Sequence, residues 1–168
     1  EEGTVVLLSD VDMSGVESYL PVGTAAAPFE GIFDGKGFAV KNIRFTTDVT
    51  SQLNAAIFGA LKGTVKNLTV GAEGDVWTIT GTCSAGTSIA GVAATAVEGA
   101  VIENCTNNVS FDFKAADPKD ILVSIAGIAA DVKGLAVTKC TNNADVHVKD
   151  LANTGNGGKG LQLAGIVG

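Results

Sequence analysis

Three cysteines, one histidine, one arginine and a scatter of aspartates are the side chains of this sequence with reactive or ligating chemistry. A thiol pair can oxidise to a disulfide, a histidine beside a carboxylate can act as a general base, and clustered carboxylates can hold calcium. Cys83, Cys105 and Cys140 lack any CxxC-type spacing, so neither a zinc site nor a redox motif is expected. Cys105 and Cys140 hold equivalent places in two sequence copies and could pair. The plainer reading makes them small apolar side chains in an inner column that Leu68 also fills. His147 lies in the alternating run Ala144-Asp145-Val146-His147-Val148, where inward valines turn it outward, and no Ser-His-Asp or Cys-His pattern accompanies it.

The carboxylates divide in the same way. Asp112, Asp117, Asp120 and Asp131 flank one loop and could offer oxygens to Ca²⁺, but neither an EF-hand spacing nor a GGxGxD nonapeptide occurs. A solvated acidic edge is therefore expected, with no metal and no cofactor. Glycoside hydrolysis requires two carboxyls at a set separation, which the sequence does not reveal. Arg44, the one arginine, lies beside Lys41 and could pair with Asp48 or Glu30. Gly155-Asn156-Gly157-Gly158-Lys159 lacks the strand-to-helix context of a phosphate loop. No catalytic residue is assigned. Trp77 and Tyr19, with Phe45, could stack on sugar rings if exposed together. Trp77, Tyr19, Asp112, Asp117 and Asp120 are the candidate binding residues.

The elements that must position these groups follow from composition and repetition. The 168 residues fit one domain, with 46% hydrophobic residues but only 5% aromatic ones, and 22 glycines. Small and β-branched residues favour thin, regular β layers. A net charge of −7 with scattered lysines excludes nucleic acid as a partner and disfavours an anionic membrane surface. No apolar run reaches the length of a membrane-spanning helix, so no insertion is expected. The opening Glu1-Glu2-Gly3 shows no signal peptide and reads as a processed or excised start.

Self-similarity is the main signal. Residues 32–45 (IFDGKGFAVKNIRF) align without a gap on 57–70 (IFGALKGTVKNLTV), an offset of 25. Ser88-Ile89-Ala90-Gly91 recurs as Ser124-Ile125-Ala126-Gly127 after 36 residues, and Ala164-Gly165 repeats the start 38 later. These units predict an all-β fold, a right-handed parallel β-helix with coils of roughly 25–38 residues, as a single domain over 1–168. Ile43, Leu68, Cys105 and Cys140 should then stack in one column about 4.8 Å apart, beside a column of Asn42, Asn67 and Asn104 that ends at Lys139. Thr69, Thr106 and Thr141 should form the next. Length differences fall at 71–86, 114–120 and 153–160, which places these loops on one edge. The sequon-like matches at Asn67 and Asn104 follow from the column and are discounted.

Residues Leu7 to Phe45 resemble the opening of bacterial surface proteins with GLUG-type repeats. Asp10, Asp12, Pro21, Gly23, Phe29, Gly31, Phe33, Asp34, Gly35, Gly37, Lys41 and Asn42 match their "DIDLSG…W.PIG…F.GTFDGNGHTIKNL" pattern, and Phe58-Gly59 with Gly63 to Leu68 match the following coil. Lys36 replaces an asparagine of the pattern, Phe38 a histidine, and Tyr19 stands near its tryptophan. The resemblance implies a secreted or lipid-anchored adhesin-like module, found notably in Bacteroidetes, and carries no catalytic residue onto this chain. The expected role is a non-enzymatic extracellular scaffold displaying a surface for glycans or for a host or cell-surface protein. A carbohydrate-active β-helix enzyme and a passive stalk are the alternatives. The stop in mid-repeat leaves an open C-terminal coil, so a longer chain or end-to-end self-association is expected.

Overall fold

The computed structural model describes residues 3–45, 53–81, 86–115, 123–149 and 160–168. Twenty short strands follow one another, and no helix occurs among the described residues, so none is long and apolar enough to cross a membrane. The first coil supplies β1 (Thr4–Val6) and β2 (Val11–Asp12). The second supplies β3 (Ile32–Asp34), β4 (Ala39–Lys41), β5 (Leu53–Ala55) and β6 (Phe58–Leu61). The third contains β7 (Thr64–Lys66), β8 (Thr69–Val70), β9 (Val76–Gly81), β10 (Thr87–Ala90) and β11 (Ala93–Ala96). The fourth repeats this set as β12 (Val101–Glu103), β13 (Thr106–Asn107), β14 (Ser110–Ala115), β15 (Val123–Ala126) and β16 (Ala129–Val132). The fifth has β17 (Ala136–Thr138), β18 (Thr141–Asn142), β19 (Val146–Lys149) and β20 (Leu161–Ala164).

Every ladder between these strands is parallel, and each strand pairs with its counterpart one coil away. Sheet 1 joins β1, β3, β7, β12 and β17, and sheet 2 joins β2, β4, β8, β13 and β18. Sheet 3 joins β9, β14 and β19, sheet 4 joins β5, β10, β15 and β20, and sheet 5 joins β6, β11 and β16. The molecule is therefore a parallel β-solenoid. Along sheet 1 the register links Thr4, Ile32, Thr64, Val101 and Ala136, so successive coils take 28, 32, 37 and 35 residues.

The main interior is one stack of apolar rungs. Val65 lies beside Ile102, Ile89 beside Ile125, and Ile79 beside Phe113, all fully buried. Ala56, Ala90, Ala94, Ala126 and Ala130 form a second, smaller buried cluster. There is little space where sheets 4 and 5 meet: a side chain on Gly91 would strike Asn107 Oδ1 at 2.6 Å and the Gly127 carbonyl at 2.7 Å. A β carbon does not fit there, which accounts for the recurring glycine of the IAG units.

Leu68, Cys105 and Cys140 do stack. Thr106 N donates to Leu68 O and Thr141 N to Cys105 O, both at 2.9 Å, and Thr69, Thr106 and Thr141 lie in register beside them. Asn67, Asn104 and Lys139 share a left-handed backbone with φ near 53°, the conformation that lets a coil turn its corner between sheets 1 and 2. Asparagine tolerates this region better than most residues because its short amide bonds locally.

The gapless alignment at an offset of 25 is overturned by the register. Phe33 pairs with Val65 and Val40 with Val70, so Asp34-Gly35, and not Lys41-Asn42, lies against Lys66-Asn67. Asn42 and Ile43 thus leave the predicted columns and occupy the next corner, after sheet 2. The physical reason is that in these two coils both corners are turned by left-handed residues, Lys36 and Asn42 in one, Asn67 and Gly71 in the other. A short strand followed by a left-handed asparagine (φ 59° at Asn42, 53° at Asn67) is a corner signature, so it recurs within a coil as well as between coils. Phe38 takes the place next to Leu68, its carbonyl accepting from Thr69 N.

Candidate functional site

Sheet 3 alternates strictly. Trp77 and Ile79 of β9, and Phe111 and Phe113 of β14, are buried, while Val76, Thr78 and Lys114 face outward. The same period gives β19 partly buried Val146 and Val148 around an exposed His147, as the sequence predicts. On the outer face Asp112 lies in register between Thr78 and His147. Asp112 is thus part of a polar row. Asp117 and Asp120 lie outside the described residues, on the connection that follows β14.

The aromatic candidates meet, but as a packed row and not as an exposed platform. Tyr19 packs edge-on against Phe45 at 5.9 Å and Phe45 edge-on against Trp77 at 4.9 Å, while Trp77 and Phe111 meet at a tilt at 5.6 Å. Trp77 is only 3% exposed. The Tyr19 hydroxyl donates to Ile57 O at 3.0 Å, and burial pushes its pKa up to about 12. These rings form an internal spine through four coils. Trp77 belongs to the core, which corrects its reading as a sugar platform, and Tyr19 is partly buried against that core. The alternation holds the missed signal, since Trp77 is one residue out of phase with Val76 and Thr78 and stands opposite inward-facing Phe111.

Outside the spine runs a groove that the sequence did not reveal. It encloses about 390 Å³ between Glu17, Arg44, Phe45, Val76 and Thr78, with Ile43 and Trp77 behind. A neighbouring hollow of about 250 Å³ continues it past Ser14, Asn42 and Asp75. Val76 is 54% exposed on this rim. The Asp75 carboxylate is occupied by backbone, accepting from Ala72 N at 2.9 Å and Asn42 N at 3.4 Å. Nearby, the amide of Asn42 donates to Asp12 Oδ1 at 2.8 Å and Ser14 N donates to the same oxygen, which together hold the Asp12 carboxyl below its usual range.

Elsewhere the polar groups are structural. Asp34 accepts from Asn67 Nδ2 at 2.9 Å and from Lys36 N, and Asn104 Nδ2 continues the ladder to Asn67 Oδ1. The amide and backbone donors lower the Asp34 pKa to about 2, with Lys36 at 3.2 Å adding charge. A second ladder, Asn107 to Asn142, runs inside, and Asn107 is fully buried. Cys105 and Cys140 are free thiols. Contact between the two raises the Cys105 thiol, burial adding to the shift, and lowers Cys140. Cys83 lies outside the described residues. No group of three or more acidic, histidine or cysteine side chains able to hold a metal occurs among the described residues.

No protein-family model matches the chain, and no curated protein matches it. Among solved structures it is similar to a Bacteroides ovatus protein provisionally assigned as an immunoglobulin A1 protease. That match has 15% identity and a TM-score of 0.38, over 100% of this chain and 78% of the other.

Proposed function

We propose that the chain is a non-enzymatic, extracellular, adhesin-like scaffold that presents one side of its solenoid to glycans. One observation carries this reading. The ends of β9, β14 and β19 lie in register, as do the starts of β10, β15 and β20. The described strand ends that flank 82–86, 116–122 and 150–160, segments that differ in length and sequence, therefore line up at one edge of the solenoid. A repeated interior whose longest and most variable connections share one edge suits a binding scaffold. The resemblance of Leu7 to Phe45 to GLUG-type surface proteins supports the extracellular setting.

The test is a glycan array probed with the intact chain and with a variant in which 116–122 is replaced by a Gly-Ser segment of equal length. The reading expects an altered glycan profile and an unchanged far-ultraviolet circular dichroism spectrum. Identical profiles from both proteins would remove the connections from the binding role.

A further inference from the structure

The groove beside sheet 3 contains an arrangement that the scaffold does not use. Arg44 and Glu17 both line it, and among the described residues neither side chain makes an ion pair or a hydrogen bond. Elsewhere lysines pair with acids at short range: Lys41 with Asp10 at 2.8 Å, and Lys62 with Glu30 at 2.7 Å. Exposed charges left unpaired on the wall of one concavity keep their full hydrogen-bonding capacity for a ligand. A guanidinium offers five donors and no acceptor, a carboxylate only acceptors.

We propose that this groove is a subsite for a neutral pyranose unit of a glycan, an inference that rests on the display reading above. A sugar hydroxyl both donates and accepts. One face of a diol can therefore accept from Arg44 while it donates to Glu17. Thr78 and Ser14 add hydroxyls along the same path. The exposed side chain of Val76 offers apolar surface to the C–H face of the ring. The volume of about 390 Å³ falls at the lower end of small-ligand sites, enough for one or two sugar rings. Charge decides the class. Among the described lining residues the groove carries one cation, Arg44, against Glu17 and Asp75, so a uronic or sialic acid would meet net negative potential whereas a neutral sugar would not.

Trp77, the only tryptophan, lies directly behind this groove and reports its occupancy. The experiment titrates the full chain with maltotriose, cellotriose and galactotriose beside trigalacturonic acid, following Trp77 emission. At least one neutral trisaccharide should change the emission saturably at millimolar concentration, and trigalacturonic acid should bind more weakly. Arg44→Ala and Glu17→Gln should each raise the half-saturation about tenfold or more, the range of a hydrogen bond to a charged group, with Arg44→Lys intermediate. Thermal melts of the three variants should overlay the wild type, because among the described residues neither side chain makes an ion pair or hydrogen bond that supports the fold. Failure of every neutral sugar to saturate, equal or tighter binding of the acidic one, or unchanged affinity in both variants would overturn the assignment. Array binding that persists unaltered in Arg44→Ala and Glu17→Gln would refute the subsite and leave the display reading standing.

Discussion

Truncating Trp77 separates the two roles open to a tryptophan in this chain. As a surface platform it would matter for ligand and little for stability. As the third ring of the Tyr19–Phe45–Trp77–Phe111 spine, at 3% exposure, it is part of the core. Trp77→Ala removes the buried indole and leaves a cavity bounded by the rings of Phe45 and Phe111, and Phe111 is held in its ladder with β9 and β19 and cannot close in. Such truncations cost roughly 3–5 kcal/mol, a range that already contains the ring-to-ring contacts. In a chain of this size about 1 kcal/mol moves the melting temperature by roughly 2–4 °C, so a fall of about 6–20 °C is expected. Trp77→Phe keeps most of the contact and should lose less than half as much. The assay is circular dichroism at 218 nm against temperature, since the substitution removes the tryptophan signal. A Trp77→Ala protein that melts within about 2 °C of wild type would show that the spine is not part of the stabilising core.

Three further outcomes follow from the ladders and the thiols. Asn104→Ala loses the bond to Asn67 and forces an alanine into φ 52°, for a combined cost of about 2 kcal/mol, whereas Asn104→Gly keeps the backbone relaxed and should cost about half as much in urea denaturation. Asp34 has a pKa depressed to about 2 in the folded chain, so its stabilisation is complete above the ordinary aspartate value near 3.8 and is lost as pH falls toward 2. Asp34→Asn should flatten that part of the acid unfolding profile. With Cys140 partly exposed and its thiol lowered, iodoacetamide followed by peptide mapping should label Cys140 in the native protein and leave buried Cys105 unmodified until unfolding.

Much of the architecture was legible because a solenoid writes its structure as recurrence. Ile89 and Ile125, and Cys105 and Cys140, were readable as stacked pairs from spacing and residue type alone. The first coils were harder to read. Asn42 looked like a partner of Asn67 because both follow a short Val-Lys strand, but left-handed residues turn more than one corner of the early coils, and a corner motif cannot reveal which corner it turns. Trp77 and Tyr19 could be proposed as meeting, and they do, but exposure depends on the phase of alternation, which the inward-facing Phe111 sets. The groove of Glu17 and Arg44 draws its walls from three coils, so no local pattern announces it.

The Asp34–Asn67–Asn104 chain has a direction. A carboxylate can only receive at such a ladder's start, whereas each asparagine amide both receives and gives, so copies of the asparagine step can be added without altering the terminal group. Lengthening this molecule by duplicating one interior turn, between β11 and β12 for example, would extend every sheet by about 4.8 Å and ask nothing new of either end. The fold behaves as a ruler with a fixed zero mark, whose reach evolution or an engineer can set in whole divisions.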